Sequence, residues 1–232
     1  MRTLTLFLMI TSIATAGDIV IESPPTRAHL IELFTSEGCS SCPPADAWLR
    51  RLKNERGLWR EFVPVAFHVN YWDNLGWPDR LASPRFTQRQ RDYAALWRAN
   101  SVYTPGFVLD GREWRDRTLP RASGEKAGVL KVRITDDRAS VSFPMIGRKL
   151  EAHLAWLTGE VVNDVKAGEN RGSKLRHEFV ALSLESQPLD AKSGAATFTT
   201  PKPAEAKAVA AWITEAGRAE PLQATGGTLD AR

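Results

Sequence analysis

The chain has 232 residues, of which 43% are hydrophobic and 25% are charged, the balance of an ordinary globular protein rather than a disordered or fibrous one. The formal net charge of +4 comes from basic residues interspersed with acidic ones. No basic tract marks a nucleic-acid site, so no nucleic-acid partner is expected. The 2 cysteines exclude a zinc site built from four cysteines of this chain.

Residues 1–16 have the pattern of a secretory signal peptide. Arg2 gives a positive start, residues 4–13 form an apolar run too short to cross a membrane as a helix, and residues 14–16 fit an A-x-A cleavage site. The alternatives are a buried N-terminal segment and an uncleaved anchor. We expect cleavage near Gly17 and a periplasmic or secreted protein with no stable membrane span after cleavage, in a compartment where disulfides persist.

A strand predicted over residues 28–34 leads through a polar turn to Cys39 and Cys42, and then to a helix predicted over residues 43–53. A C-x-x-C at a strand-to-helix junction is typical of thioredoxin-like redox sites. The helix N-terminus favours negative charge, so we expect a lowered pKa for Cys39. Cys39 is predicted as the nucleophile and Cys42 as the resolving cysteine. A structural disulfide is the alternative, although so small a loop gains little stability by closure.

Glu32 interrupts the predicted strand, and a charged residue inside a buried strand requires an explanation. One interpretation is a catalytic one, in which this buried carboxylate moves protons to or from Cys42. The other is that Glu32 faces solvent or pairs with an arginine.

A second strand is predicted over residues 62–71, and the order strand, helix, strand indicates a right-handed crossover with parallel strands. An aromatic loop follows at the same end of the sheet as the C-x-x-C turn. Tyr71, Trp72 and Trp77 are therefore predicted either to form a binding wall of the site or to cover a small core. His68 is expected to be a satisfied strand histidine rather than a metal ligand.

Ser83 has the residue type of an N-cap and precedes a helix predicted over residues 84–99. Thr104 and Pro105 then precede a hairpin whose turn is predicted at residues 110–111. In thioredoxin folds a cis-proline at this position presents backbone groups to a bound polypeptide. We therefore predict a catalytic role for Pro105 and a binding role for Thr104.

Residues 32–46 (ELFTSEGCSSCPPAD) resemble the signature of an uncharacterised bacterial family of secreted thioredoxin-like proteins, domain of unknown function 1223. Residues 67–77, 102–105 and 168–177 resemble later blocks of the same family, so the resemblance covers most of the mature chain. It implies an exported protein with a thioredoxin-like domain followed by a β-rich domain, and it brings no established activity. The closing helix of the thioredoxin fold is expected to be shortened or absent, because residues 115–127 are charged and broken by proline and glycine.

In the second half of the chain, short alternating stretches separated by turns are typical of a β-sandwich. Residues 204–215 are ambiguous, since their alanines favour helix while their alternation favours strand, and we predict a strand. The predicted organisation is a signal peptide (1–16), a thioredoxin-like α/β domain (17–120) and a β-rich, sandwich-like domain (126–232). The polar segment 168–177 is expected either to pin two strands or to fold back onto the redox site.

These features predict an exported thiol–disulfide oxidoreductase that acts on protein or small-molecule thiols, with a redox partner and without a cofactor. The direction of electron transfer stays open, because an oxidant and a reductant share the same residues. One alternative is a protein that binds Cu(I) through Cys39, Cys42 and His68, because soft thiolates suit copper. The other is a non-catalytic binding module in which the disulfide only stiffens the turn.

Overall fold

The computed structural model describes residues 18–144 and 147–229. The predicted signal peptide lies outside the described residues, so it stays a prediction. Within the described part, no helix is long and apolar enough to cross a membrane. The two α-helices found there are α1 (Pro43–Arg51) and α2 (Pro84–Trp97). The strands are β1 (Ile19–Glu22), β2 (His29–Thr35), β3 (Phe62–His68), β4 (Gly106–Leu109), β5 (Arg112–Glu113), β6 (Lys131–Thr135), β7 (Arg138–Ser142), β8 (Leu150–Thr158), β9 (Val161–Asp164), β10 (Lys174–His177), β11 (Val180–Pro188), β12 (Ala195–Thr197), β13 (Ala208–Glu215) and β14 (Pro221–Thr228).

One eight-stranded sheet runs through the molecule in the order β14-β13-β8-β11-β3-β2-β4-β5. β2 and β3 are parallel, as the strand–helix–strand pattern predicts, and β4 pairs antiparallel with β2. β11 joins the two halves of the chain, because it pairs with β3 on one side and with β8 on the other. β13 confirms the strand predicted in the alanine-rich stretch. A four-stranded sheet, β1-β6-β7-β12, and the β9–β10 hairpin contain the remaining strands.

The predicted fold class, a thioredoxin-like α/β domain followed by a β-rich, sandwich-like domain, is wrong. Strands account for 39% of the described residues and helices for only 14%, and one large sheet draws strands from both halves of the chain. The physical reason is that the edge of β3 would leave its backbone groups unpaired, and β11 pairs with that edge. Residues 115–127 contain no helix, as their charged and proline-broken pattern predicts. The boundary predicted between residues 120 and 126 stays a prediction.

The two helices pack on opposite faces of β2. Ile31 and Leu33 share an apolar cluster with Leu49 of α1. Leu30 and Phe34, on the other face, share a cluster with side chains of α2. Each fully buried side chain of this size is worth about 1.5–3 kcal/mol. β2 is therefore packed on both faces. The C-x-x-C turn that follows it lies at the carboxyl end of β2, beside the start of α1.

Glu185 of β11 is expected to make the protein acid-sensitive. Its carboxylate is 9% exposed and accepts backbone N–H bonds from Thr199 and Thr200, at 3.0 and 2.7 Å. Burial works to raise the pKa of Glu185, but the hydrogen bonds outweigh it and lower the pKa from 4.5 to about 2. A lowered folded-state pKa contributes stability that is present above about pH 4.5 and is lost as the pH falls through about 2.

The variant Glu185→Gln is therefore expected to be less stable than the wild type by about 2–3 kcal/mol at pH 7 and by much less near pH 2. Urea unfolding across this pH range measures the difference. Glu55→Gln, at an exposed carboxylate, is the control. A Glu185→Gln deficit that does not change with pH would contradict the prediction.

Candidate functional site

Cys39 and Cys42 form a disulfide across a turn with a Cα–Cα distance of 5.4 Å. Cys42 is the N-cap of α1, and Cys39 lies one turn earlier, with its carbonyl accepting the N–H of Cys42 at 3.2 Å. Pro43 and Pro44 begin the helix and have no N–H to offer. The hydroxyl of Ser41 lies 3.4 Å from Cys39 Sγ and is placed to donate to a thiolate there.

Residues 168–172, which we call the covering segment, contact the backbone of the C-x-x-C turn. Both cysteines are 0% exposed. The Asn170 side-chain amide donates to the carbonyls of Glu37 and Cys39 at 2.8 and 2.9 Å. The N–H of Ser40 donates to the Glu169 carboxylate at 3.1 Å. The structure has both features expected for this part of the chain, since the segment is the turn that joins β9 to β10 and it also folds back onto the C-x-x-C turn.

Trp72 connects the C-x-x-C turn to the predicted proline site. The Thr104–Pro105 peptide bond is cis. The indole N–H of Trp72 donates to Thr104 Oγ1 at 2.8 Å. A Cβ at Gly38 would lie only 2.9 Å from Trp72 Cβ, so the close packing of this indole requires glycine there. The structure thus brings Trp72, Thr104 and Pro105 to one side of the turn.

Trp77 and Tyr71, the other two residues predicted to form a wall of the site, contact different parts of the molecule. The indole N–H of Trp77 donates to Glu37 Oε2 at 2.8 Å, which places this ring beside the turn. The Tyr71 hydroxyl donates to Gln90 Oε1 of α2 at 3.2 Å. Trp77 therefore flanks the turn directly, and Tyr71 reaches back toward α2.

Glu32 faces α2. Its carboxylate is 0% exposed and accepts hydrogen bonds from Arg89 Nε at 2.5 Å and from the Tyr93 hydroxyl. α1, which carries the disulfide at its start, packs on the opposite face of β2. Glu32 therefore pairs with an arginine, which is one of the two interpretations that the sequence suggests for this residue. Proton transfer to Cys42 stays a prediction.

A second group of charged side chains lies beside the turn. His177 Nε2 is 3.2 Å from Glu37 Oε1, and His177 Nδ1 is 3.5 Å from Asp46 Oδ1. None of the three residues is more than 5% exposed. Burial works to lower the pKa of His177, but the Asp46 and Glu37 carboxylates outweigh it and raise the pKa to about 9. His177 is therefore a buried cation at neutral pH.

His68 and Asp79 extend this group. His68 Nδ1 is 2.7 Å from Asp79 Oδ2, which also accepts the N–H of Glu37 at 2.9 Å. Burial works to raise the pKa of Asp79, but the contact with His68 and the backbone donors outweigh it and lower that pKa. The rings of His68 and His177 meet edge to face with centroids 4.8 Å apart.

Asp46, His68 and His177 offer one metal-ligand atom each, and these atoms all lie within 4.8 Å of one another. This is the one such group among residues 18–144 and 147–229, and it contains neither cysteine. No contact of the described residues therefore favours the alternative in which Cys39, Cys42 and His68 hold Cu(I).

Sequence reasoning missed this group of charged side chains. The sequence predicts His68 only as a satisfied strand histidine. Glu37 offered a local signal, because it is a carboxylate two residues before Cys39. Asp79 offered no such signal, since nothing in a polar loop predicts that one of its residues will contact a histidine in a neighbouring strand.

The covering segment is expected to control access to the disulfide. Asn170→Ala removes two hydrogen bonds, each worth about 1 kcal/mol, and so raises the population of the open form by roughly 10- to 30-fold. Reduction of the disulfide by dithiothreitol, followed by thiol trapping, should accelerate accordingly. The exposed Asn100→Ala is the control. Equal reduction rates for Asn170→Ala and the wild type would show that the segment does not limit access.

A profile of the family described as "Protein of unknown function (DUF1223)" matches residues 30–214. Among solved structures, the chain is similar to the crystal structure of protein AGR_C_4864 from Agrobacterium tumefaciens, with 26% identity, a TM-score of 0.61, and coverage of 88% of this chain and 97% of that one. It is also similar to HBP35 of Porphyromonas gingivalis, with 14% identity, a TM-score of 0.55, and coverage of 90% and 77%. The second likeness shows the fold alone. A comparison with curated proteins finds no match.

Proposed function

The chain belongs to the family described as protein of unknown function (DUF1223), and since that description carries no activity, we propose from the site that the Cys39–Cys42 disulfide exchanges with protein or small-molecule thiols. One observation carries the proposal. A disulfide of the C-x-x-C type stands at the start of α1, and Trp72 joins its turn to a cis-proline loop. A small disulfide at a helix start suits exchange better than it suits stapling a chain.

In the oxidising direction, a substrate thiolate attacks Sγ of Cys39, forms a mixed disulfide and releases Cys42 as the thiolate. A second substrate thiolate then attacks the substrate sulfur of the mixed disulfide and releases the Cys39 thiolate. One substrate disulfide has formed, and the protein has taken up two electrons. In the reducing direction, the Cys39 thiolate attacks a substrate disulfide, and Cys42 then attacks Cys39 Sγ to release the reduced substrate.

In this proposal, the residues around the disulfide control whether a substrate can reach it. Attack on a sulfur requires a line of approach to it, and both cysteines are 0% exposed, with the covering segment bound to the backbone of their turn. In this proposal the segment moves aside before the substrate binds. Pro105 and Thr104 then present backbone beside the opened turn, and Trp72 forms one wall of the site.

The proposal includes export and partners. We propose a periplasmic or secreted protein, cleaved after residue 16, that meets protein or small-molecule thiols and a redox partner there. Mass measurement of the protein recovered from an expressing bacterium tests the cleavage. A mature chain that retains Met1 would contradict it.

The reduction potential of the Cys39–Cys42 pair tests the function. The protein is equilibrated in glutathione buffers, and the fraction oxidised is read by thiol trapping. A potential between about −120 and −270 mV, the range of known oxidoreductases, is the expected result. A disulfide that stays oxidised below about −300 mV would overturn the proposal and favour the non-catalytic binding module.

A further inference from the structure

We propose that Asp46, His68 and His177 form a binding site for one Zn²⁺ ion, separate from the disulfide. The three residues come from α1, β3 and β10, so the ion would tie together elements from both halves of the chain. The site takes no ligand atom from either cysteine. It therefore exists in the oxidised protein and does not depend on the proposed thiol exchange.

The two ring nitrogens proposed as ligands are buried, and the metal ion would replace the 3.5 Å ion pair between His177 Nδ1 and Asp46 Oδ1. His68 Nε2 and His177 Nδ1 have no hydrogen-bond partner among the described residues, although their side chains are 0% and 1% exposed. A buried ring nitrogen without a partner costs stability, and a metal ion is a partner that suits imidazole. Asp46 Oδ1 lies 3.5 Å from His177 Nδ1 and supplies the third ligand atom.

The outer atoms of all three ligands are already held by neighbours. His68 Nδ1 contacts Asp79 at 2.7 Å, and His177 Nε2 contacts Glu37 at 3.2 Å. A carboxylate on the far nitrogen is the usual support of a metal-binding histidine, because it fixes the ring and raises its basicity. Thr35 Oγ1 donates to Asp46 Oδ2 at 3.0 Å and leaves Oδ1 for the ion.

Three buried carboxylates face two buried imidazoles in this group, and the cationic residues Arg50, Lys174 and Arg176 line the adjoining cavity. The buried carboxylates of Glu37, Asp46 and Asp79 bring three negative charges into one region. The two imidazoles offset at most two of them, even when both are protonated. A divalent cation held by Asp46, His68 and His177 offsets this excess of buried carboxylates.

The geometry suits a tetrahedral ion with three protein ligands. Ligand atoms at about 2.0–2.1 Å from Zn²⁺ lie roughly 3.4 Å apart, close to the 3.5 Å between Asp46 and His177. The three ligand atoms lie within 4.8 Å of one another, so His68 has to approach by up to about 1.4 Å to complete the set. A cavity of about 150 Å³ adjoins Asp46 and His177, and its other lining residues include Arg50, Lys174 and Arg176. In this proposal the ion enters through the cavity, and water supplies its fourth ligand.

Calorimetric titration of the oxidised full-length chain with ZnCl₂, after treatment with a chelator, tests the proposal. Oxidation keeps both thiolates out of the experiment. We expect one Zn²⁺ per chain, with affinity lowered more than about 100-fold in His177→Gln and His68→Gln and about 10- to 100-fold in Asp79→Asn, a change beside the ligands. His153→Gln is the matched control, because both ring nitrogens of this buried histidine are already paired with Ser186 and Thr214.

Co²⁺ loading of the oxidised wild type gives a second readout that does not depend on whether the variants fold. We expect the visible absorption of tetrahedral cobalt with nitrogen and oxygen ligands and without the sulfur-to-metal charge-transfer band. The double variant Cys39→Ser, Cys42→Ser should bind Zn²⁺ as the wild type does. No Zn²⁺ uptake by the oxidised wild type, or uptake that the histidine variants keep, would overturn the site. Loss of thiol exchange with Zn²⁺ binding intact would overturn only the proposed function.

Discussion

Replacing Cys39 by serine is expected to abolish thiol–disulfide exchange, lowering its rate by at least about a thousandfold. The attacking species is a thiolate, and a serine hydroxyl is not ionised at neutral pH. Replacing Cys42 by serine should have a different result, because the first attack by Cys39 still occurs and the resolving thiol is missing. The reduced Cys42→Ser variant should therefore accumulate a mixed disulfide with its substrate.

The assay follows the reduced protein with a chromogenic aromatic disulfide, and mass spectrometry identifies the trapped adduct on Cys39. Ser40→Ala is the matched control, because it lies in the same turn and keeps the backbone N–H that contacts Glu169. A Cys39→Ser variant that still exchanges, or an adduct found on Cys42 of the wild type, would contradict the assigned roles.

Replacing Arg89 by methionine is expected to destabilise the protein by about 3–5 kcal/mol, the largest stability effect that we expect from a single substitution. The substitution leaves the fully buried Glu32 carboxylate without its cation. It also removes a guanidinium that lies 4.8 Å from the ring centroid of Trp212 and 5.0 Å from that of Tyr93. The free energy of unfolding in urea measures the loss.

The double variant Glu32→Gln, Arg89→Met should recover part of this loss, because it removes the unpaired charge along with its partner. Arg91→Met, at an exposed site on the same helix, should change stability by less than about 0.5 kcal/mol. A double variant no more stable than Arg89→Met would show that the unpaired charge is not the cause. If Glu32 moves protons to Cys42, the refolded double variant should also exchange disulfides more slowly than the wild type.

Local residue patterns were sufficient for much of the first half of the chain. Ser83 followed by Pro84 predicted the start of α2, because an N-cap and a first-turn proline act within a few residues. The C-x-x-C spacing placed the two cysteines close enough to bond. The position of Thr104 and Pro105 before the β4–β5 hairpin was also predicted, although the sequence did not decide that their peptide bond is cis. These features depend on neighbours in sequence, so the sequence by itself determined them.

The fold class and the charged group beside the turn were decided only by the tertiary structure. β11 pairs with β3 across more than a hundred residues of chain, and no local pattern specifies which strand will pair with an open edge. His177 meets Glu37 across a separation of 140 residues. Alternation predicts that a side chain is buried, but it does not say which other buried group it will contact. The partners of Glu37, His68 and His177 therefore follow from how the β9–β10 hairpin packs against α1 and the end of β3.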